Sequence, residues 1–546
     1  MKRIAAGSVL LGVSLVLLIF LGGANSRLPK LSELEVSADE YEALKQGRVE
    51  DNSLMPERIR FDECDLFYDA DNSRWFRSLN EDEDTDVSVD VSGAKAAFME
   101  FELTPESIRS AEEIRFLLYT DSAYRECSLT VTTLPLLRID SRELVANNFD
   151  ENTPTPTPVI TATPIGETDD PGEFRKRADQ SMSLTLWDNR AGVTQHIVRG
   201  DGLIHLRGNG ASILAKAGYR ITLDTEANLL GLRTDDDWLL YTPYSDQDKI
   251  RNVFLTNLWT ETCGTNNTFG VVNGLEYRWV ELFLNDRYYG IYALGYPLDS
   301  LQFQLQDPET EFIAKVNFWT NPGVVAQKIS YPAFGYELRG TYTTEQADAH
   351  FLQLREVNAH WGNADTDAIR AETDLPSAID TFLFTRFMQG TDHIRPNTGE
   401  IYNYFITFKK ANDSRVRLIF TPWDLDMALG NRIDTDYFDH TDRWSISSDD
   451  NSYVMKYNPA AVLERAGDEE ITEMIRDRWQ ELRAATWSDE AIDAAIETHR
   501  AALWDSGAMV REQATWPDAP YEGDELAHFK TYVHERLESM DGIYSQ

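Results

Sequence analysis

Residues Thr153-Pro154-Thr155-Pro156-Thr157-Pro158, continued by Thr161-Ala162-Thr163-Pro164, restrict the fold of this chain more than any other stretch. Alternating Thr and Pro supply no apolar face and few backbone donors, so they cannot build a core and run as an extended linker, open to O-glycosylation. A chain of 546 residues also exceeds what one hydrophobic core serves. The pattern therefore predicts a linker over 148–175 between two independently folded units.

Ahead of that linker, Met1-Lys2-Arg3 and the apolar run from Ile4 to Ala24 read as an export signal over 1–26. Gly22 and Ala24 suit cleavage after Ala24, while the run is also long enough for an uncleaved anchor, for which roughly 20 residues suffice. Residues 27–50 are polar and Glu-rich, without a clear period, and are expected to be a spacer. Over 51–147 short runs such as Val87-Ser88-Val89-Asp90-Val91 and Ala97-Phe98-Met99-Glu100-Phe101 alternate as half-buried strands do, so a small β-sandwich is expected. Cys64 and Cys127 both fall there and can pair, leaving Cys263 alone.

Beyond the linker, 176–546 mixes the two periods. Strand-like runs at Ser183–Leu186, Leu203–Leu206, Tyr219–Leu223, Trp279–Leu284 and Val416–Phe420 precede or alternate with helical patterns after Ser245, Leu375 and Pro459. Ile471, Met474, Ile475, Trp479 and Leu482 recur at helical spacing, with Asp468 and Ser488 as candidate caps. Strands first and helices after make an α+β domain.

Charge narrows the partners. Against 51 Lys+Arg stand 92 Asp+Glu, a net −41, which repels nucleic-acid backbones and anionic lipid, so no nucleic-acid partner is expected. Membrane contact is expected only through an N-terminal anchor. A bound ATP would need divalent metal and local basic residues.

The strongest chemical signal is Phe420-Thr421-Pro422-Trp423-Asp424-Leu425-Asp426. An isolated Asp-x-Asp is usually a solvated turn. Here the pair lies among Trp423, Leu425, Met427 and Leu429, where an uncompensated charge is costly and a metal removes the cost. In extended geometry residues i and i+2 face the same side, so Asp424 and Asp426 are expected to present paired carboxylates to Mg²⁺ or Mn²⁺. An EF-hand is excluded by Ala428 and Thr435 at ligand positions. Upstream, Asp392 and Asn397 have D-x4-N spacing, followed by Tyr402-Asn403-Tyr404. An Asp, an Asn and then a metal-binding Asp is the order of parts in kinase active sites. A third segment, Arg207-Gly208-Asn209-Gly210 to Lys216 and Arg220, reads as strand, glycine turn and cation, suited to phosphates but weak alone.

Taken in order, these segments resemble the spore-coat protein H (CotH) kinase family. The resemblance rests on Arg207-Gly208-Asn209-Gly210-Ala211-Ser212, on Lys216 with Tyr219-Arg220, and on Asp236-Asp237-Trp238. It continues through Tyr244-Ser245-Asp246, Ile250-Arg251-Asn252, Tyr289-Gly290-Ile291-Tyr292 and Tyr336-Glu337-Leu338 to Trp423-Asp424-Leu425-Asp426. It covers about 180–546. What it implies is an atypical kinase-like domain that binds ATP and divalent metal and phosphorylates Ser or Thr of secreted, surface or coat proteins. Asp392 matches the family's catalytic Asp and Asp424 its metal-binding Asp, with Asp426 assisting. Asn397 and Asn403 compete for the metal-binding Asn, and Lys216, Arg220, Arg207, Gly208 and Gly210 are the phosphate-binding candidates. One departure stands out: Tyr296 occupies a position that is usually acidic, which leaves a catalytically inactive surface or structural protein of the same fold as the alternative. A glycosidase fits less well, because no carboxylate pair has the expected separation.

Overall fold

The computed structural model describes residues 27–79, 86–141, 179–207, 215–316, 336–390, 393, 403–431 and 458–544. The export-signal reading of 1–26 and the Thr/Pro run lie outside these. Among the described residues no helix is long and apolar enough to cross a membrane. The chain forms two compact units, one of Met1–Arg77, Asp82–Leu103 and Glu113–Val131, the other of Ser78–Glu81, Thr104–Glu112 and Thr132–Gln546.

The first unit is β-rich, with a seven-stranded and a three-stranded sheet. Residues 27–50 are not a spacer in it. Strand Glu35–Val36 pairs in parallel with Lys95–Met99, and helix Ala38–Lys45 follows, with Ser37 and Glu40 forming a reciprocal capping box. Tyr41, 2% exposed, packs with Ala97, Leu117 and Tyr119. The Ser-x-x-Glu spacing is a helix-start signal that the low apolar content masks. The expected Cys64–Cys127 disulfide does not form: Cys64, Cys127 and Cys263 are all buried, unbridged thiols. Cys64 belongs to the three-stranded sheet and Cys127 to the seven-stranded one, and burial pushes the Cys127 thiol up to about 11.

The second unit begins with a closed seven-stranded barrel. Its strands are β1 (Leu136–Asp140), β2 (Gln180–Trp187), β3 (Ile197–Arg207), β4 (Gly218–Asn228), β5 (Thr234–Tyr241), β6 (Tyr277–Leu284) and β7 (Arg287–Gly295). They run in the order β1-β2-β3-β4-β5-β7-β6, and β1 closes the ring by pairing in parallel with β6. This overturns the expected domain boundary. In sequence the Thr/Pro run falls between β1 and β2, which pair with each other in the barrel, and the division between units falls near Val131. Leu136, Leu137 and Ile139 are all fully buried, as a strand paired on both edges requires.

A four-stranded antiparallel sheet follows, of β8 (Phe312–Val316), β9 (Tyr336–Arg339), β10 (Tyr404–Lys410) and β11 (Val416–Pro422), in the order β9-β8-β10-β11. Helix α1 (Arg251–Leu258) leaves the barrel. Helix α2 (Leu375–Met388), which precedes Asp392, is buried at every position from Ser377 onward, its buried Asp380 paired with Arg478 at 2.7 Å. In the C-terminal helices, Glu469–Ala484 buries Ile471, Ile475, Trp479 and Leu482, with Asp468 capping it and Ser488 capping the next, as expected. The described architecture is α+β.

Candidate functional site around Asp424

Strand β11 ends at Pro422, and residues 423–431 form a loop whose apolar side chains anchor it. Leu425, Met427, Ala428 and Leu429 are buried, while Asp424 is exposed and Asp426 half-buried. Nearly every turn of this loop is pinned by a remote segment. The Trp423 N–H donates to the Asn403 carbonyl at 2.9 Å, and the Trp423 carbonyl accepts from His393 Nε2 at 2.8 Å. Asn252 Oδ1 accepts from the Leu425 N–H at 2.9 Å, and Asn431 Nδ2 donates to the Asp426 carbonyl at 2.8 Å. Arg251 Nε donates to the Leu429 carbonyl at 3.2 Å, while its own guanidinium is held by Asp246 and Asp248. Burial holds the His393 imidazole down at about 4, so it is neutral and donates from Nε2.

The extended geometry expected for Asp424 and Asp426 is not what forms. Asp424 has φ 62°, a left-handed conformation that Asp tolerates better than most residues, so the i, i+2 argument fails there. The two carboxylates nevertheless act on one group. The buried Tyr241 hydroxyl has no hydrogen-bond partner among the described residues. Its pKa is raised well above the usual value by burial first, then by Asp426, Asp246 and Asp424. Asp426 also accepts from the Ser245 hydroxyl at 3.4 Å.

Two cations lie by Trp423. The Arg207 guanidinium is 5.2 Å from the centre of its ring and the Lys315 amine 6.0 Å. Burial depresses the Lys315 amine and Asp424 opposes that shift. A small cavity there is lined by Arg207, Asn252, Trp259, Tyr277, Trp423 and Asp424. Among the described residues, the carboxylate of Asp424 has no hydrogen-bond or ion-pair partner, and neither Arg207 nor Lys315 has a carboxylate partner.

Other expected residues are placed elsewhere. Lys216 is fully buried. Its amine bonds Glu512 at 2.5 Å and the Ile291 carbonyl at 2.7 Å, so it is an internal ion pair rather than a phosphate contact. Glu512 lies on helix α3 (Ala508–Thr515), beside Arg511, which pairs with buried Glu281 at 2.6 Å. Gly290, at φ 93°, is needed there, because a Cβ would fall on the Glu512 carboxylate. Arg220 is committed to Asp237, with Nε donating to Oδ1 at 2.7 Å. Asn403, at φ 53°, offers the loop its backbone carbonyl. Asp392, Asn397, Gly208 and Gly210 lie outside the described residues. Tyr296 is buried beneath the Arg233 guanidinium, 4.5 Å from its ring centre, and Arg233 also pairs with Asp299 at 2.7 Å.

A different cluster, Glu522, Asp524 and His528, has the spacing to hold a metal ion and contains none of the expected residues. His528 is there hydrogen-bonded to Asp524 itself.

The residues that the sequence reading did not assign are Lys315, His393, Asn252 and Tyr241. Asn252 lies in a quoted motif without a role, and Lys315 is the one charge in the apolar strand Phe312-Ile313-Ala314-Lys315-Val316.

The model of the CotH kinase proteins matches residues 204–540, more than half of the chain. The chain belongs to the CotH kinase protein family. The match begins inside β3, just before Arg207, and takes in the rest of the barrel, the four-stranded sheet and nearly all the C-terminal helices. Strands β1 and β2, which complete the barrel of this CotH family member, precede it. No curated protein matches the chain. Membership points to a kinase-like function for this CotH domain.

Proposed function

We propose that the chain is an extracytoplasmic protein kinase that moves the terminal phosphoryl group of ATP to Ser or Thr hydroxyls of secreted or surface proteins. What supports this best is Asp424: an unpartnered, solvent-facing carboxylate on a loop pinned at both ends, with unpaired cations beside it. A loop serving structure alone would have no reason to keep two cations and a carboxylate around one indole without ion pairs between them. The orphaned Tyr241 hydroxyl and the hard oxygen donors of Asp424 and Asp426 fit Mg²⁺ or Mn²⁺. When bound, that ion would screen the negative charge of the phosphate oxygens.

In this reading Asp424 is the main metal carboxylate, Asp426 assists, and Asn397 or Asn403 adds an amide oxygen. Asp392 orients the incoming hydroxyl and accepts its proton as the oxygen bonds the terminal phosphorus and the bond to ADP breaks. His393, next to Asp392, bonds the carbonyl before Asp424 and so ties the two carboxylate segments together. The basic start and apolar run of residues 4–24 favour export, cleaved or anchored. A non-catalytic surface role is favoured by one observation, the burial of Tyr296 where an acidic residue is usual. Phosphate transfer from labelled ATP to the chain itself or to a generic acceptor, lost in Asp392→Ala and Asp424→Ala, separates the two.

A further inference from the structure

We infer that Lys315, together with Arg207 and in place of Lys216 and Arg220, is the side chain that receives the phosphate oxygens of the nucleotide opposite Asp424. The inference deepens the kinase reading and rests on it. Lys315 occupies β8, between β9 and β10, with Glu337 and Phe405 as its register partners. An ammonium among apolar neighbours normally finds a carboxylate, because desolvation without compensation is costly. Glu337 is paired with Arg339 at 2.5 Å. Asp424 is close enough to act on the Lys315 amine, yet the two form no ion pair. Arg207, over the same Trp423 ring, is equally without a carboxylate. Beside the closed Glu337–Arg339 pair, which also acts on the Lys315 amine, stand two cations and one carboxylate, Lys315, Arg207 and Asp424, with no ion pair among the described residues; they are the complement of a metal-bound polyphosphate, with metal on the carboxylate and phosphate oxygens on the cations. The alternatives are closed by geometry, since Lys216 is shut away with Glu512 and Arg220 is bound to Asp237.

The test is calorimetric binding of ATP, ADP and AMP with Mg²⁺ to the full chain, in wild type, Lys315→Met, Lys315→Gln and Lys315→Arg. A charge-assisted contact of this kind predicts that Met and Gln weaken ATP about tenfold or more, change AMP by less than about threefold, and that Arg restores most of the loss. Melting temperatures without nucleotide report whether each variant is folded, and Gln substitutes where Met fails. Wild-type ATP binding that Met or Gln leaves unchanged overturns the role of Lys315 while the kinase reading stands. No ATP binding by folded wild type overturns both.

Discussion

Replacing Lys216 by Met is predicted to destabilise the second unit without touching the nucleotide directly. Lys216 and Glu512 are both fully buried, and the Glu512 carboxylate has two described donors, the Lys216 amine and the Ile291 N–H at 2.8 Å. Removing the amine leaves a carboxylate in the interior with one hydrogen bond. Breaking a buried pair in this way costs about 3–5 kcal/mol, whereas replacing both partners is often close to neutral. Lys216→Met should therefore lower the urea midpoint by about 1–2 M, and adding Glu512→Leu should recover most of that loss. Tryptophan fluorescence suits the assay, because Trp75 alone of the 13 Trp belongs to the first unit. An unchanged midpoint with abolished ATP binding would refute the argument and return Lys216 to the phosphate-contact role that its sequence position suggests.

Acid should weaken the fold through His499. Its Nδ1 accepts from the Trp279 indole at 3.0 Å, and burial holds its pKa at about 4, so the folded state refuses a proton that the unfolded chain takes up near 6.5. Its contribution is complete above about pH 6.5 and is lost as pH falls toward 4, worth about 3 kcal/mol across that window. Melting curves of wild type and His499→Phe should therefore converge as pH falls from 6.5 to 4, and parallel curves would contradict this. A truncated chain starting at residue 176 lacks β1, with Leu136, Leu137 and Ile139 fully buried, and should fail to give a protease-resistant barrel, whereas one starting at residue 132 should succeed. Limited proteolysis compares the two.

Local signals were legible where local physics decides the outcome. The cap at Asp468 and the four-, four- and three-residue spacing of Ile471, Ile475, Trp479 and Leu482 mark a helix whatever surrounds it. The Asp424 motif was likewise visible as carboxylates in an apolar setting. Its conformation was not, because the left-handed turn at Asp424 is set by hydrogen bonds between the loop backbone and Asn252, His393 and Asn403, which reach it from distant parts of the chain. Lys315 matters only once the register of β8 on β10 brings it beside Trp423, a pairing that separates residues by about ninety positions. Lys216 misled for the converse reason: a Lys after a glycine turn looks available until Glu512, nearly three hundred residues later, closes over it. The Thr/Pro run misleads because such a composition reads as a boundary, whereas the strands on either side of it in sequence, β1 and β2, pair directly with each other.

Phosphate transfer from radiolabelled ATP, with Mg²⁺ or Mn²⁺, by the chain from residue 27 onward addresses the central claim most directly. Labelling of the chain or a generic protein acceptor at Ser or Thr, reduced by orders of magnitude in folded Asp392→Ala and Asp424→Ala, is the predicted result. Labelling that persists in Asp424→Ala, or none in a folded wild type whose melting temperature ATP leaves unmoved, would contradict it.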